Sequence, residues 1–392
     1  MLTELCGRSR PRRVAQVVTR FMAGAGGVAL YGAAALDPSA NQVTVIAGSG
    51  NRLLDSARDA GFEVILVPEL VSPISPREDF SALGTLTALL SEGKFDVVHT
   101  HSAKAGALGR VAAHRAGVPR IVHTFHGFPF HEFQSWPRRS AYVLCEQRLA
   151  RITDFFFAVG TGVAVEAIRR GIADPARIRT IGPAIDFGIA RVNPTSRQHA
   201  RTSLGIGPNT PVVGTVGRLD YQKAPEHMIE ALARLRDRET ILVWIGGGPL
   251  AEDAVRWSAR HGVADRVRLL GERANVPELL PAFDIFAMAS RYEGLPCAVL
   301  EAQMCGLPVV ATAVNGVSDV VVPGVTGLLV PPARPDLLAR AIQHMLDKPD
   351  QTARMAELGR LQIGDRYVPA TLGRVLEEAY GSEPVGTPSR AA

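Results

Sequence analysis

The sequence predicts an α/β protein made of two Rossmann-like units, each a parallel sheet covered by helices. Three observations lead there. The chain has 392 residues, a length that suits two domains with separate cores. Hydrophobic residues make up 46% and charged residues 21%, the balance of a folded rather than a disordered chain. Short β-branched runs alternate with amphipathic or Ala-rich helical stretches along almost the whole length, the pattern of strands joined by crossover helices.

The elements follow in order. Strand runs in the first half are 14–19, 42–47, 63–67, 97–99, 121–124 and 155–159; in the second half they are 212–216, 241–245, 267–270, 285–287, 309–311 and 327–330. These runs read as strands of parallel sheets, buried on both faces. Each half opens with a strand, a Gly-containing loop and a helix, VAQVVTRFMAGAGG in one and PVVGTVGRLDYQK in the other. Between 181 and 211 strand character is lost and Pro, Asn and Thr gather, so the break belongs there. The expected domains are 1–190 and 191–366. A C-terminal helix and tail, 367–392, with helical character over 369–380, is expected to return to the first domain.

Composition excludes several classes. Four cysteines, Cys6, Cys145, Cys297 and Cys305, are too scattered for a disulfide framework and contain no Cys-x-x-Cys, which fits a reducing cytosol. The most apolar segment, 21–36, has 16 residues and falls short of the ~20 that a membrane span needs. The N-terminal stretch lacks the apolar run of a secretory signal. The net charge is +5, a mild excess that favours phosphorylated ligands or an anionic membrane surface. Its densest cluster is Arg8, Arg10, Arg12 and Arg13, read either as a solvated terminus or as a peripheral membrane contact. The charge is otherwise diffuse and no recognition motif accompanies it, so nucleic acid is not an expected partner.

Loops at the carboxyl ends of parallel strands form the ligand crevice, so motifs there weigh most. In SRYEGLPCAVLEAQMCGLPVVAT, 290–312, a strand ends in a loop carrying Glu293, and a helix follows with Pro296 in its first turn. The N–H groups of Cys297 and Ala298 would be unpaired there and offer a seat for phosphate. Glu293 and Glu301 would reach hydroxyls of the same ligand; alternatively one is a cap and the other a solvated helix residue. In GTVGRLDYQKAPE, 214–226, Arg218 and Lys223 are suited to a diphosphate. The chain has four lysines against 39 arginines, so a lysine in such a loop is worth noting.

Six of the ten histidines lie between His99 and His131. Only Glu132 accompanies them at useful spacing, so a metal site is not expected. His126 is placed at a strand end facing the crevice, with His101 and Lys104 as candidates for the acceptor side. AGAGG, 23–27, is not the dinucleotide fingerprint, because its glycines are wrongly spaced.

Taken together, the Glu-x7-Glu segment 293–301, GTVGRLDYQKAPE, LVWIGGGP, RVRLLGERANVPELLPAFDIFAMAS and NGVSDVVVPGVTGLLVPP resemble the retaining, GT-B-fold glycosyltransferases of family 4. The resemblance continues through VVHTHSAKAGALGR and HTFHGF, and it is closest to bacterial members that build surface polysaccharides or lipid-linked glycans. It implies two Rossmann-like domains facing across a cleft. It implies that Arg218 and Lys223 hold the donor diphosphate, that Glu293 contacts hydroxyls of the transferring sugar, and that Glu301 holds the ribose. His126 would lie near the sugar, Gly27 would be a loop glycine over the diphosphate, and Gly271 to Arg273 would line the base pocket. Gly217, Gly294, Cys297 and Ala298 complete the donor set. One departure is Asn315-Gly316, where the family has paired glycines; another is the first loop, AGAGG, which lacks the usual charged residues after it.

The implied reaction moves a hexosyl or N-acetylhexosaminyl group from a nucleotide sugar, UDP-linked, to a lipid-linked or glycan acceptor at the cytoplasmic membrane face. No Asp-x-Asp occurs in the chain, and neither a metal nor another cofactor is expected. Two alternatives share the fold: a sugar-nucleotide epimerase, and a non-catalytic partner protein.

Overall fold

The computed structural model describes residues 10–22, 24–128, 135–182 and 192–381. It divides into two units, one formed by 1–184 with 369–392 and the other by 185–368. The chain returns to the first unit at Pro369.

The first unit contains β1 (Arg12–Phe21), α1 (Ala25–Ala34), β2 (Asn41–Gly50), α2 (Arg52–Asp59), β3 (Glu63–Leu66), α3 (Pro76–Gly93), β4 (Val97–His101), α4 (Ala103–Arg115), β5 (Arg120–Phe125), α5 (Trp136–Leu149), β6 (Phe155–Ala158), α6 (Thr161–Arg169) and β7 (Ile178–Thr180). Its seven strands run in the order β3-β2-β1-β4-β5-β6-β7, all parallel. The apolar runs are continuous because helices cover both faces; Val14, Ala15, Val17 and Val18 are all fully buried. The sequence reading missed β7, which has three residues, one of them Arg179, and lies at the sheet edge.

The second unit contains α7 (Pro194–Ser203), β8 (Val212–Val216), α8 (Pro225–Arg234), β9 (Ile241–Ile245), α9 (Ala251–Arg260), β10 (Val267–Leu269), α10 (Val276–Leu279), β11 (Ile285–Met288), α11 (Cys297–Cys305), β12 (Val309–Thr312), β13 (Leu328–Val330), α12 (Pro335–Asp347) and α13 (Pro349–Ile363). Its sheet order is β10-β9-β8-β11-β12-β13. Separate apolar cores cover its two faces, one around Phe283, Phe286 and Leu300, the other around Trp244, Ile229 and Ile342. In both sheets the strand order reverses beside the first strand, between β1 and β4 and between β8 and β11. That switch point is where an open α/β sheet binds its ligand.

A last helix, α14 (Pro369–Gly381), lies on the first unit against α1. Gly373 is required at the crossing, because a Cβ there would stand 2.1 Å from the Ala35 carbonyl oxygen. Leu372 and Leu376 enter the core beside Ala33 and Val97.

Three of the four N-terminal arginines have partners within the chain. Arg10 forms a two-pronged pair with Asp96 at 2.8 Å, Arg12 pairs with Glu377, and Arg13 lies over the Phe95 ring. Arg8 falls outside the described residues, as do Ala23, His131 and Glu132. Among the described residues no helix is long and apolar enough to cross a membrane.

Candidate functional site

In the second unit two loops meet at the switch point. The loop after β8 carries Arg218 and Lys223. Its tight path depends on Ala224 in the left-handed region, φ 49°, and on Pro225, which opens α8. The Lys223 N–H donates to Asp220 Oδ1 at 3.1 Å. Its stem runs beside Gly217, where a Cβ would lie 3.2 Å from Lys223 Cε, so glycine at 217 leaves the lysine room.

The Lys223 ammonium reaches Glu293 Oε1 at 2.5 Å. Glu293 is nearly buried and accepts two further bonds, from Ser290 Oγ at 2.6 Å and Gln222 Nε2 at 3.2 Å. Gln222 also donates to the Tyr292 carbonyl, and Thr312 Oγ1 holds the Ser290 carbonyl at 2.6 Å. Three donors thus fix one carboxylate, which orients it and lowers its nucleophilicity. The sequence reading missed Gln222 and Ser290; each lies within three residues of a named site residue, and no pattern distinguished them from loop polar residues.

Gly294 follows, seated against the loop after β12. Gly316 there has φ 78°, and a Cβ on it would stand 1.9 Å from the Gly294 oxygen. The Asn315-Gly316 pair therefore keeps the glycine that close approach demands, at its second position.

Pro296 precedes α11 instead of forming its first turn. The Cys297 N–H bonds back to Leu295 O, and those of Val299 and Leu300 bond to Pro296 O. The expected pair of unpaired donors at Cys297 and Ala298 is thereby reduced: of the two, the Ala298 N–H alone lacks a backbone partner among the described residues. Burial, with the Glu301 charge next, pushes the Cys297 thiol up to about 12, so it stays protonated and inert.

One turn on, Glu301 is partly buried, and its carboxylate has no hydrogen-bond partner among the described residues. Burial raises its pKa to about 7. An acid in that position lacks acceptable donors in the free chain and suits a ligand that brings hydroxyls.

Arg218 is 62% exposed and pairs with Asp220 at 2.8 Å. Gly271 accepts a bond from the Gly246 N–H at 2.8 Å, and Arg273 beside it is exposed.

In the first unit the histidines divide between the two faces of the sheet. His123 faces α4, bonded to Thr100 Oγ1 at 2.8 Å and covered by Gly106, whose absent Cβ would stand 2.5 Å from the ring. His99 and His101 face the other way. His101 is 2% exposed, and both its ring nitrogens are engaged, Nδ1 with His126 Nε2 at 2.9 Å and Nε2 with Gln16 Oε1 at 2.8 Å. It therefore has no ring nitrogen left for an acceptor, contrary to its expected role. Burial depresses all four rings, His99 to about 3 and His126 to about 4, with His101 and His123 well below the usual range; they are neutral at pH 7.

His126 lies half-buried just past the end of β5. Lys104 is not open to a ligand: its ammonium holds Asp79 at 2.5 Å and the Pro73 carbonyl. Gly27 is not in a loop but in the first turn of α1. It is Gly26 that packs against Phe21, while a Cβ on Gly27 would meet only Tyr31 at 3.9 Å.

The structure thus brings Lys223, Glu293 and Glu301 each within electrostatic range of Cys297, and pairs His101 with His126 in the other unit. Among the described residues no group of three or more His, Cys, Asp or Glu side chains is placed to hold a metal ion.

Residues 196–362 match the family model described as glycosyl transferases group 1, and residues 22–188 that of glycosyltransferase family 4. An Escherichia coli protein named UDP-Gal:alpha-D-GlcNAc-diphosphoundecaprenol alpha-1,3-galactosyltransferase is 34% identical over 263 residues, 66% of this chain and 68% of that one. A D-inositol 3-phosphate glycosyltransferase of Catenulispora acidiphila is 32% identical over 288 residues, 69% and 67% of the two chains. Among solved structures, HepE of Anabaena in complex with UDP and glucose superposes with TM-score 0.81 at 22% identity, covering 94% of this chain and 98% of its own. WaaG, a glycosyltransferase of lipopolysaccharide biosynthesis, gives 0.78 at 19%, covering 94% and 100%.

Proposed function

Because this chain belongs to the family 4 glycosyltransferases, we propose that it moves a hexosyl or N-acetylhexosaminyl group from a UDP-linked donor to a lipid-linked or glycan acceptor, with retention and without a metal. The observation that supports it is the grouping at the second unit's switch point: a lysine and a triply held glutamate, a helix start beside them, and an unpartnered acid one turn along that helix.

Each part has a task. A sugar nucleotide carries its own leaving group, so catalysis consists chiefly in stabilising the charge that grows on the diphosphate. Lys223 has three N–H donors; one engages Glu293, and the others are assigned to phosphate oxygens. Arg218 adds an exposed guanidinium and the Ala298 N–H a helix-end donor. This is positive charge supplied by the chain itself, and it supports metal independence. Glu293, oriented by Lys223, Ser290 and Gln222, is assigned to hydroxyls of the transferring sugar. With three donors on its oxygens it is a poor nucleophile, which favours front-face attack in which the departing phosphate takes the acceptor's proton. Glu301 is assigned to the ribose hydroxyls, Gly271 and Arg273 to the base, and His126 to a sugar or acceptor hydroxyl. Gly217 and Gly294 shape the backbone, and Gly27 leaves space at the start of α1.

The test is incubation with a panel of labelled nucleotide sugars, with and without a polyprenyl diphosphate-sugar acceptor. Product that needs the acceptor and keeps the donor's anomeric configuration supports the reading. Conversion of donor alone would make the chain an epimerase. The same lipid acceptor in anionic vesicles tests membrane contact by co-sedimentation.

A further inference from the structure

We propose that Gln16 and Tyr380 set which ring nitrogen of His126 carries its proton, leaving Nδ1 bare as a hydrogen-bond acceptor just beyond β5. The significance for sugar transfer rests on the role given to His126 above; the relay itself does not.

A neutral imidazole has one donor and one acceptor nitrogen, so rings bonded in series cannot choose independently. Burial keeps these rings neutral. Gln16 is paired with His99 in the sheet register, beside His101 on the same strand. Its Oε1 lies 2.8 Å from His101 Nε2 and its Nε2 lies 3.1 Å from the Tyr380 hydroxyl. A carbonyl oxygen only accepts, so His101 Nε2 carries the proton and its Nδ1 is an acceptor. His126 Nε2, 2.9 Å away, must then donate, and His126 Nδ1 is left with its lone pair.

On the other side the Tyr380 hydroxyl accepts from Gln16 and donates to His99 Nδ1 at 2.7 Å, and His99 Nε2 donates to Thr124 Oγ1 at 2.7 Å. Turning the Gln16 amide over would reverse every bond and make His126 Nδ1 a donor. The amide is therefore the element that sets polarity; Tyr380, from α14 at the far end of the chain, bonds the amide nitrogen and passes that polarity on to His99, since its hydroxyl both accepts and donates. A bare Nδ1 accepts from a ligand hydroxyl and disfavours a carboxylate at the same place, so the relay selects for hydroxyl-bearing ligands. Gln16 and Tyr380 are positioning residues; neither is assigned a ligand contact.

The experiment uses the full chain with 15N-labelled histidine and no sugar nucleotide. Long-range 1H–15N correlation spectra at pH 7.5, assigned with His126→Asn, read the tautomer directly. The expected wild-type state is His126 protonated on Nε2. Tyr380→Phe and Gln16→Leu should both show the second tautomer in comparable amount. Gln16→Glu, whose carboxylate likewise only accepts, should keep the wild-type signal.

In turnover assays Gln16→Leu should lower kcat about fivefold, the scale of one hydrogen bond, with donor KM within twofold, and Gln16→Glu should restore it. A wild-type His126 protonated on Nδ1, or a His126 tautomer unchanged in both Gln16→Leu and Tyr380→Phe, overturns the relay. Because the spectra need no substrate, they stand or fall apart from the sugar-transfer reading.

Discussion

Glu301→Gln separates what the acid does for binding from what it costs the fold. Among the described residues its carboxylate has no donor, and burial lifts its pKa from 4.5 to about 7. At 1.36 kcal/mol per pH unit this converts to about 3 kcal/mol against the folded, ionised state. The side chain keeps some solvent exposure, which screens the charge, so about 2 kcal/mol is the better expectation.

The sign follows from linkage. The folded pKa is the higher, so between 4.5 and about 7 the folded state binds more protons, and stability falls as pH rises through that window. Glutamine has the same shape without the charge. The variant should match the wild type near pH 5 and exceed it near pH 8 by about 2 kcal/mol, or roughly 4–8 °C in the melting of a unit of this size. Thermal unfolding of both proteins at the two pH values is the assay. Calorimetry with UDP at pH 8 should meanwhile show weaker binding by the variant. A stability gap that stays constant between pH 5 and pH 8 refutes the account of Glu301 as a buried, unpartnered acid. Unchanged UDP affinity refutes its assignment to the nucleotide.

Lys223→Ala should raise the barrier to turnover by about 2–4 kcal/mol, the loss expected for one charge-stabilising donor; near-normal kcat would remove lysine from the diphosphate. Gly27→Ala should stabilise the first unit by up to about 1 kcal/mol in chemical denaturation, since it replaces a helical glycine in open space; destabilisation would contradict the described first turn of α1. Gly316→Ala should cost about 2 kcal/mol or more from positive φ and the clash with Gly294, and should lower turnover by displacing the loop that carries Glu293; wild-type stability would contradict that close approach. Turnover should survive EDTA followed by desalting, and loss that added divalent cation restores would end metal independence.

The strands were legible because helices cover both faces of each sheet, so parallel strands appear as unbroken apolar runs. VVGTV and ILVWI match the observed strands to the residue, whereas β7 carries only Ile178 as its buried residue and left no run to find. The carboxylates at 293 and 301 were legible because glycine, proline and acid fall together around a helix start. Lys104 misled because a lysine near a helix start looks the same whether it awaits an anion or already holds Asp79. Gln16 did leave a trace, a lone polar residue inside VAQVV. Tyr380 left none, because its partners His99 and Gln16 stand 281 and 364 residues away.

By itself, then, the sequence determined every described strand but β7, the two-unit division and the chemical groups at the strand ends, since these depend on local periodicity and on residue type. Tertiary structure alone decided which groups are occupied: Lys223 on Glu293, Lys104 on Asp79, His101 between Gln16 and His126, and Glu301 left without a donor. A side chain's partner is set by how strands and helices far apart in the chain converge, and so is the dielectric that tunes its protonation.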